Sequence, residues 1–302
     1  MDDKPKTAAG YDQERTDDCE VALVILLRAF ASLKDTLRLV GGLVPRYLTP
    51  AAPPDVPLHA GTRDVDVVLN VELLADRGTY RKLKGQLKDA GFRRVGDGTD
   101  KVSSWQWEIK FHGRHVIVEF LHDTDDPEQT GRLTEIDGEE ISALQILHAG
   151  VAGDWFEEKP LRVELPDKQG VAVETVRYAD ATAFIILKAI AFDTRHEPKD
   201  AADLLHVMQY AFETTELLAQ RVMARRVEGR HEEAIDAALQ ALKRRFCGDE
   251  HVEGHDKDGP ALAANFHGYA AEGLEDDRAT YLRQVSAMVT RFVALLEAPA
   301  AA

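Results

Sequence analysis

Cysteine is scarce in this chain, with only Cys19 and Cys247 in 302 residues. Two thiols so far apart fit no disulfide framework, so the default expectation is a reducing, cytoplasmic setting. Long apolar runs are also missing. The stretch from Val21 to Ala31 is too short to cross a bilayer and is soon followed by Lys34, Asp35 and Arg38, so no membrane association is expected. Met1 to Asp18 is charged and has no apolar core, which argues against a signal or transit peptide and for a frayed tail over 1–17. Positive charge is in deficit: 37 Lys and Arg face 53 Asp and Glu, a net charge of -16. That balance argues against a broad nucleic-acid-binding face and leaves room only for a local basic patch.

What the chain does have is length enough for two lobes and one conspicuous stretch between Val40 and Leu69. Val40-Gly41-Gly42-Leu43 reads as a strand end turning on two glycines into a short helix. Gly61-Thr62-Arg63-Asp64-Val65-Asp66 then leads into a second strand ending at Leu69. Side chains alternate along a strand, so Asp64 and Asp66 project to one side while Val65 and Val67 face the core. Two adjacent carboxylates repel each other unless they are solvated, share a proton or hold a cation, and Mg²⁺ is the usual hard partner. The glycines let the backbone approach an anion, and the N-terminus of the following helix offers it unpaired N–H groups.

Around this stretch, a helix is expected from Cys19 to Lys34, capped by Asp18, with Val21, Val24, Leu27 and Phe30 on one face. The four prolines between Thr49 and Ala60 mark a surface loop. Val71 to Ala90 reads as a helix stopped by Gly91. Ser104 to Phe111 and Arg114 to Leu121 alternate as a hairpin turning at His112-Gly113, which puts Glu119 on the face opposite Val118. Glu139 to Gly150 reads as helix, and Leu161 to Leu165 with Val171 to Val176 as a second hairpin. Beyond Tyr178 the period is helical. Pro198 opens a new helix just after His196, and further helices are expected near Glu213 to Arg226, Glu232 to Phe246 and Arg278 to Glu297. The spacing of Cys247, His251 and His255 invites a zinc reading, but the glycines and acids around them argue for a mobile loop, and no zinc site is assigned.

The double glycine followed by Gly61-Thr62-Arg63-Asp64-Val65-Asp66 resembles the polymerase-β-type nucleotidyltransferase superfamily, in particular its branch of AbiEii-like and MenT-like toxins. The usual motif has serine where this chain has Gly42. A second cluster resembles the same branch: Lys188 in an apolar run, Arg195, and then Lys199-Asp200 with Asp203. The resemblance spans about Leu37 to Met208. It implies an α+β protein, with a nucleotidyltransferase-like mixed sheet lobe flanked by helices over 18–177, a helical lobe over 178–297 forming a C-terminal bundle, and a tail over 298–302.

The activity implied is transfer of a nucleoside monophosphate from a nucleoside triphosphate to an acceptor hydroxyl. Asp64, Asp66 and Glu119 are the implied ligands of Mg²⁺ or Mn²⁺, with Asp123 the fallback for the third. Gly41, Gly42 and Thr62 are implied to cradle phosphates, Lys188 to supply them with positive charge, and Asp200 to position the nucleotide or a metal-bound water. Arg195, Lys199 and Asp203 are expected to hold the helix junction. The acceptor implied for the toxin branch is a tRNA end, with an antitoxin protein as partner. A small-molecule or protein hydroxyl, and a catalytically inactive nucleotide-binding module, are the alternatives.

Overall fold

A computed structural model describes residues 4–70, 83–99, 101–111, 113–135 and 141–298. The first part of the helix expected to end at Ala90, residues 71–82, lies outside the described residues, as do the turn residue His112 and the ends of the chain at 1–3 and 299–302. The architecture is α+β, and the chain divides into two compact units. One holds Asp12–Val44 and Gly61–Asp180. The other holds Met1–Tyr11, Pro45–Ala60 and Ala181–Ala302. The division after Asp180 lies close to the expected boundary at 177, but the proline-rich segment 45–60 belongs with the helical unit.

The sheet unit opens with helix α1 (Gln13–Phe30). Its N-cap is Asp12, whose carboxylate accepts a hydrogen bond from the Arg15 amide at 2.7 Å. The expected cap, Asp18, lies in the second turn and pairs with Arg114 at 3.0 Å, so the helix begins earlier than expected and residues 13–17 are not a tail. Asp12 wins because Gln13 and Glu14 continue the helical pattern and Glu14 sits favourably in the first turn. The helix also ends earlier, at Phe30, where Ala31 takes a φ of 48°.

Among the described residues, nine strands form one mixed open sheet: β1 (Leu37–Val40), β2 (Asp64–Leu69), β3 (Arg93–Arg94), β4 (Gln106–Phe111), β5 (Arg114–Thr124), β6 (Leu133–Glu135), β7 (Ser142–Leu147), β8 (Phe156–Glu164) and β9 (Val171–Ala179). The order is β3-β4-β5-β2-β1-β9-β8, with β7 beside the far end of β5 and β6 beside β7. At the centre, β2 runs parallel to β5 and antiparallel to β1. Val65, Val67, Val118 and Phe120 share one face and are fully buried, and Phe120 meets Phe30 of α1 with ring centroids 5.9 Å apart. A core of this kind places the opposite face of the same strands, which carries the acids, on the other side of the pleat.

Ser142 to Leu147 is strand, not helix: its helix-favouring Ala, Leu and Gln are overruled by pairing with β5 on one side and β6 on the other. The second hairpin is longer than expected, pairing Phe156 through Glu164 with Ala179 through Val171. A short helix, α2 (Leu83–Asp89), does precede Gly91, whose amide and that of Phe92 bond back to Lys88 and Leu87.

The helical unit contains α3 (Ala181–Arg195), α4 (Pro198–Tyr210), α5 (Thr215–Val227), α6 (Glu232–Phe246), α7 (Asp258–Phe266) and α8 (Glu275–Glu297). Pro198 occupies the first turn of α4, and His196 bridges the two helices with a φ of 54°. Phe192, Phe246 and Phe266 are among its fully buried side chains. Residues 247–257 carry one short turn, Gly254–Asp256, and residues 248–253 are exposed. Gly254 is buried, Asp249 accepts from the amides of His251 and Val252, and the same carboxylate pairs with Lys257. No helix among the described residues is long and apolar enough to cross a membrane.

Candidate functional site

In the sheet unit, the centre of β2 assembles the first cluster. Parallel pairing sets Asp66 opposite Glu119, and antiparallel pairing sets Asp66 opposite Val40 on the other side, the residue just before the glycine turn. Aligned residues of neighbouring strands share a face, so Asp64, Asp66 and Glu119 lie together. Asp123 lies four residues beyond Glu119 on β5, about 13 Å away along a strand. The register therefore favours Glu119 as the third acid. Gln106 stands opposite Glu119 on β4 and donates to its Oε1 at 2.8 Å.

Gly41 has a φ of 71°, and a Cβ there would lie 1.9 Å from Oδ2 of Asp66. Glycine is required twice over, for the backbone conformation and for the closeness of the carboxylate. Gly42 is buried in the turn spanning Gly41–Leu43.

Thr62 is buried just before β2. Its residue is 2% exposed, and its hydroxyl donates to Oδ1 of Asp64 at 2.6 Å. Its amide donates to Oγ1 of Thr16 on α1 at 3.1 Å. Cys19, one turn further on, has its thiol 3.9 Å from the Thr62 carbonyl. Burial, and then the nearby Asp64 charge, push that thiol well above its ordinary pKa, so it stays protonated. Thr16, Cys19 and Gln106 were not singled out by sequence motif. Their only signal is position: Thr16 and Cys19 are spaced by one turn on the inner face of α1, and Gln106 opens the strand beside β5.

The second cluster lies within the helical unit. Lys188 on α3 is buried, and its ammonium donates to Asp200 at 2.8 Å and Asp203 at 2.9 Å, both on α4. Arg195 donates to Asp200 at 2.7 Å, and Lys199 to Asp203 at 2.8 Å. His59, from the proline-rich segment, completes the set through its Nε2, 2.9 Å from Asp203. His206 on α4 lies with its Nε2 3.0 Å from the Thr49 hydroxyl and its ring 5.0 Å from that of His59.

The charges hold one another in place. Burial works against the Lys188 charge, but Asp200 and Asp203 outweigh it and raise its pKa. Burial likewise opposes the Asp203 charge, and Lys188 and Lys199 reverse that, holding it well below the carboxylate range. Asp200 is lowered in the same way, with Lys188 and Arg195 outweighing burial. The histidines go the other way: burial holds His59 below its ordinary value, and burial and then His59 push His206 down to about 3. Arg195 and Asp203 thus join the two helices, through Asp200 and Lys188, while Lys199 pairs with Asp203 within α4. Lys188 and Asp200 are held by the same network, and His59, Thr49 and His206, which carry no motif, belong to it too.

Among the described residues no three His, Cys, Asp or Glu side chains are gathered into a ready metal cage. The donor set of Asp64, Asp66 and Glu119 nevertheless suits Mg²⁺, which is bound through one or two carboxylates together with substrate phosphates and retained waters. The close approach of Gly41 to Asp66 supports this fit, because it leaves no side chain between the turn and the carboxylate. No protein-family model matches the chain, and no curated protein matches it.

Proposed function

We propose that the sheet unit is a metal-dependent nucleotidyltransferase, moving a nucleoside monophosphate from a nucleoside triphosphate to an acceptor hydroxyl. The observation that carries this reading is the alignment of Asp66 with Glu119, with Asp64 two residues away on the same face and Gly41 pressed against Asp66. In the reaction, the acceptor oxygen gives its proton to water and bonds to the α-phosphorus, while the bond from that phosphorus to the leaving pyrophosphate breaks. Asp64, Asp66 and Glu119 would hold the divalent ion. When bound, the ion supplies charge neutralisation on the triphosphate and a lowered pKa for the acceptor hydroxyl.

The chain's own residues do the positioning. Gly41 and Gly42 let phosphate oxygens approach the backbone without a side chain in the way. Gln106 steadies Glu119 through one oxygen. Catalysis by positioning and fixed charge needs no covalent intermediate with the protein. The reading rests on the sheet unit alone.

The test is incubation of the protein with labelled nucleoside triphosphates, Mg²⁺ and separated fractions of cellular RNA, protein and metabolites. Transfer of label to one fraction supports the reading and identifies the acceptor class, a tRNA end among them. Asp64→Asn and Asp66→Asn are each expected to abolish transfer. Full activity of Asp66→Asn would overturn the assignment.

A further inference from the structure

Thr62 has one hydroxyl proton, and the geometry directs it at Oδ1 of Asp64, 2.6 Å away. A short hydrogen bond from a buried hydroxyl to a carboxylate is of the strong, charge-assisted kind. With that proton committed and the residue 2% exposed, Thr62 has no hydroxyl donor left for a phosphate. The residue is instead fastened from behind. Its amide donates to Oγ1 of Thr16, which is 1% exposed, and its carbonyl lies 3.4 Å from the same oxygen. The Thr16 hydroxyl is also 3.3 Å from the carbonyl of Asp12, the cap of α1.

The backbone shape reinforces these bonds. Gly61 has a φ of 98°, and a Cβ there would come 2.2 Å from Thr16 Oγ1, so the chain before β2 lies directly against the helix. The helix is in turn tied to the sheet, because Asp18 accepts from Nε of Arg114, the first residue of β5, at 3.0 Å.

We propose that Thr16 and Thr62 are positioning residues: a hydrogen-bonded chain runs from α1 through Thr16 and Thr62 to Asp64 and sets the carboxylate for metal binding. This rests on the nucleotidyltransferase reading, and it replaces the phosphate-binding role that the motif implies for Thr62. Two acids on one strand face repel each other and swing apart when nothing orients them. A fixed donor on Asp64 selects one rotamer, as outer-shell partners do for metal-binding carboxylates generally.

The experiment titrates Mn²⁺ alone into the full chain, reading free Mn²⁺ by electron paramagnetic resonance, and then measures transfer against Mg²⁺ and against nucleoside triphosphate. Thr62→Val, which keeps the shape and removes the donor, is expected to weaken Mn²⁺ binding by about 10- to 100-fold. It should raise the Mg²⁺ needed for half-maximal transfer in step. Thr62→Ser, which keeps the hydroxyl, should restore most of the binding, an effect a purely structural role does not produce. Thr16→Val should weaken binding in the same direction by less, and it reads the chain from its far end should Thr62→Val fail to fold. Undiminished Mn²⁺ binding in Thr62→Val, with only the triphosphate requirement raised, overturns the positioning role and returns Thr62 to the phosphates. If the unaltered protein binds no Mn²⁺ and transfers no label, it is the catalytic reading that falls, and the positioning role falls with it.

Discussion

The two charged clusters of this protein are built on opposite rules. On β2 and β5 three acids line one sheet face, where a threonine hydroxyl donates to Asp64 and a glutamine amide to Glu119. Between α3 and α4 the arrangement alternates in sign, Lys188, Arg195 and Lys199 meeting Asp200 and Asp203 at 2.7 to 2.9 Å. Acids that share a strand face repel one another and favour a cation between them. A buried network of opposite charges is neutralised internally, and removing one member strands the others. The first cluster is where chemistry is expected to depend on each acid, and the second is where stability is.

The sharpest break in this contrast is Lys188→Ala. It leaves Asp200 and Asp203 buried with one fewer cation, and a loss of about 3–5 kcal/mol in folding stability is expected, read from denaturant midpoints. Stability near that of the unaltered protein would show that the helical cluster is as loosely held as a surface pair.

Acid should probe the same cluster more gently. His206 is pushed down to about 3, and His59 and His267 are also held low by burial, so between pH 6.5 and about 3 the unfolded chain binds protons that the folded one refuses. Stability is therefore full above pH 6.5 and falls on acidification, by up to about 1.4 kcal/mol per pH unit for each such histidine. Asp200 and Asp203, lowered in the folded state, add to the loss in the same direction only below about pH 4, where the unfolded chain's carboxylates take up protons that the folded ones refuse. Urea titrations between pH 7 and pH 4 measure the slope, and His206→Gln should flatten it by one proton's worth.

The smallest expected effect lies in the sheet cluster. Asp66→Asn removes one of the adjacent like charges, so stability should stay within about 0.5 kcal/mol of the unaltered protein or rise slightly. A large loss would mean that the Asp66 charge supports the fold, and the contrast between the clusters would fail.

Legibility followed the reach of the interactions. The alternation of Val65, Val67, Val118 and Phe120 made the central strands readable, because burial on one face leaves its mark at every second residue. Pro198 announced the break between α3 and α4 in the same local way. Ser142 to Leu147 misled because its composition favours helix while its neighbours β5 and β6, distant in sequence, supply the hydrogen bonds of a strand. The short helix Asp258–Phe266 was not read either, since its start, Asp258-Gly259-Pro260, resembles loop.

The sequence by itself determined the acids on β2, the helical period beyond Tyr178 and the break at Pro198, because spacing along one strand or helix dictates which side chains share a face. Only the tertiary structure decided that Glu119 and not Asp123 lies beside Asp66, that Thr62 turns its hydroxyl to Asp64 and its amide to Thr16, and that His59 reaches Asp203 from 144 residues away. Those choices depend on strand register and on hydrogen bonds across long stretches of chain, and neither leaves a periodic trace in the residues that make them.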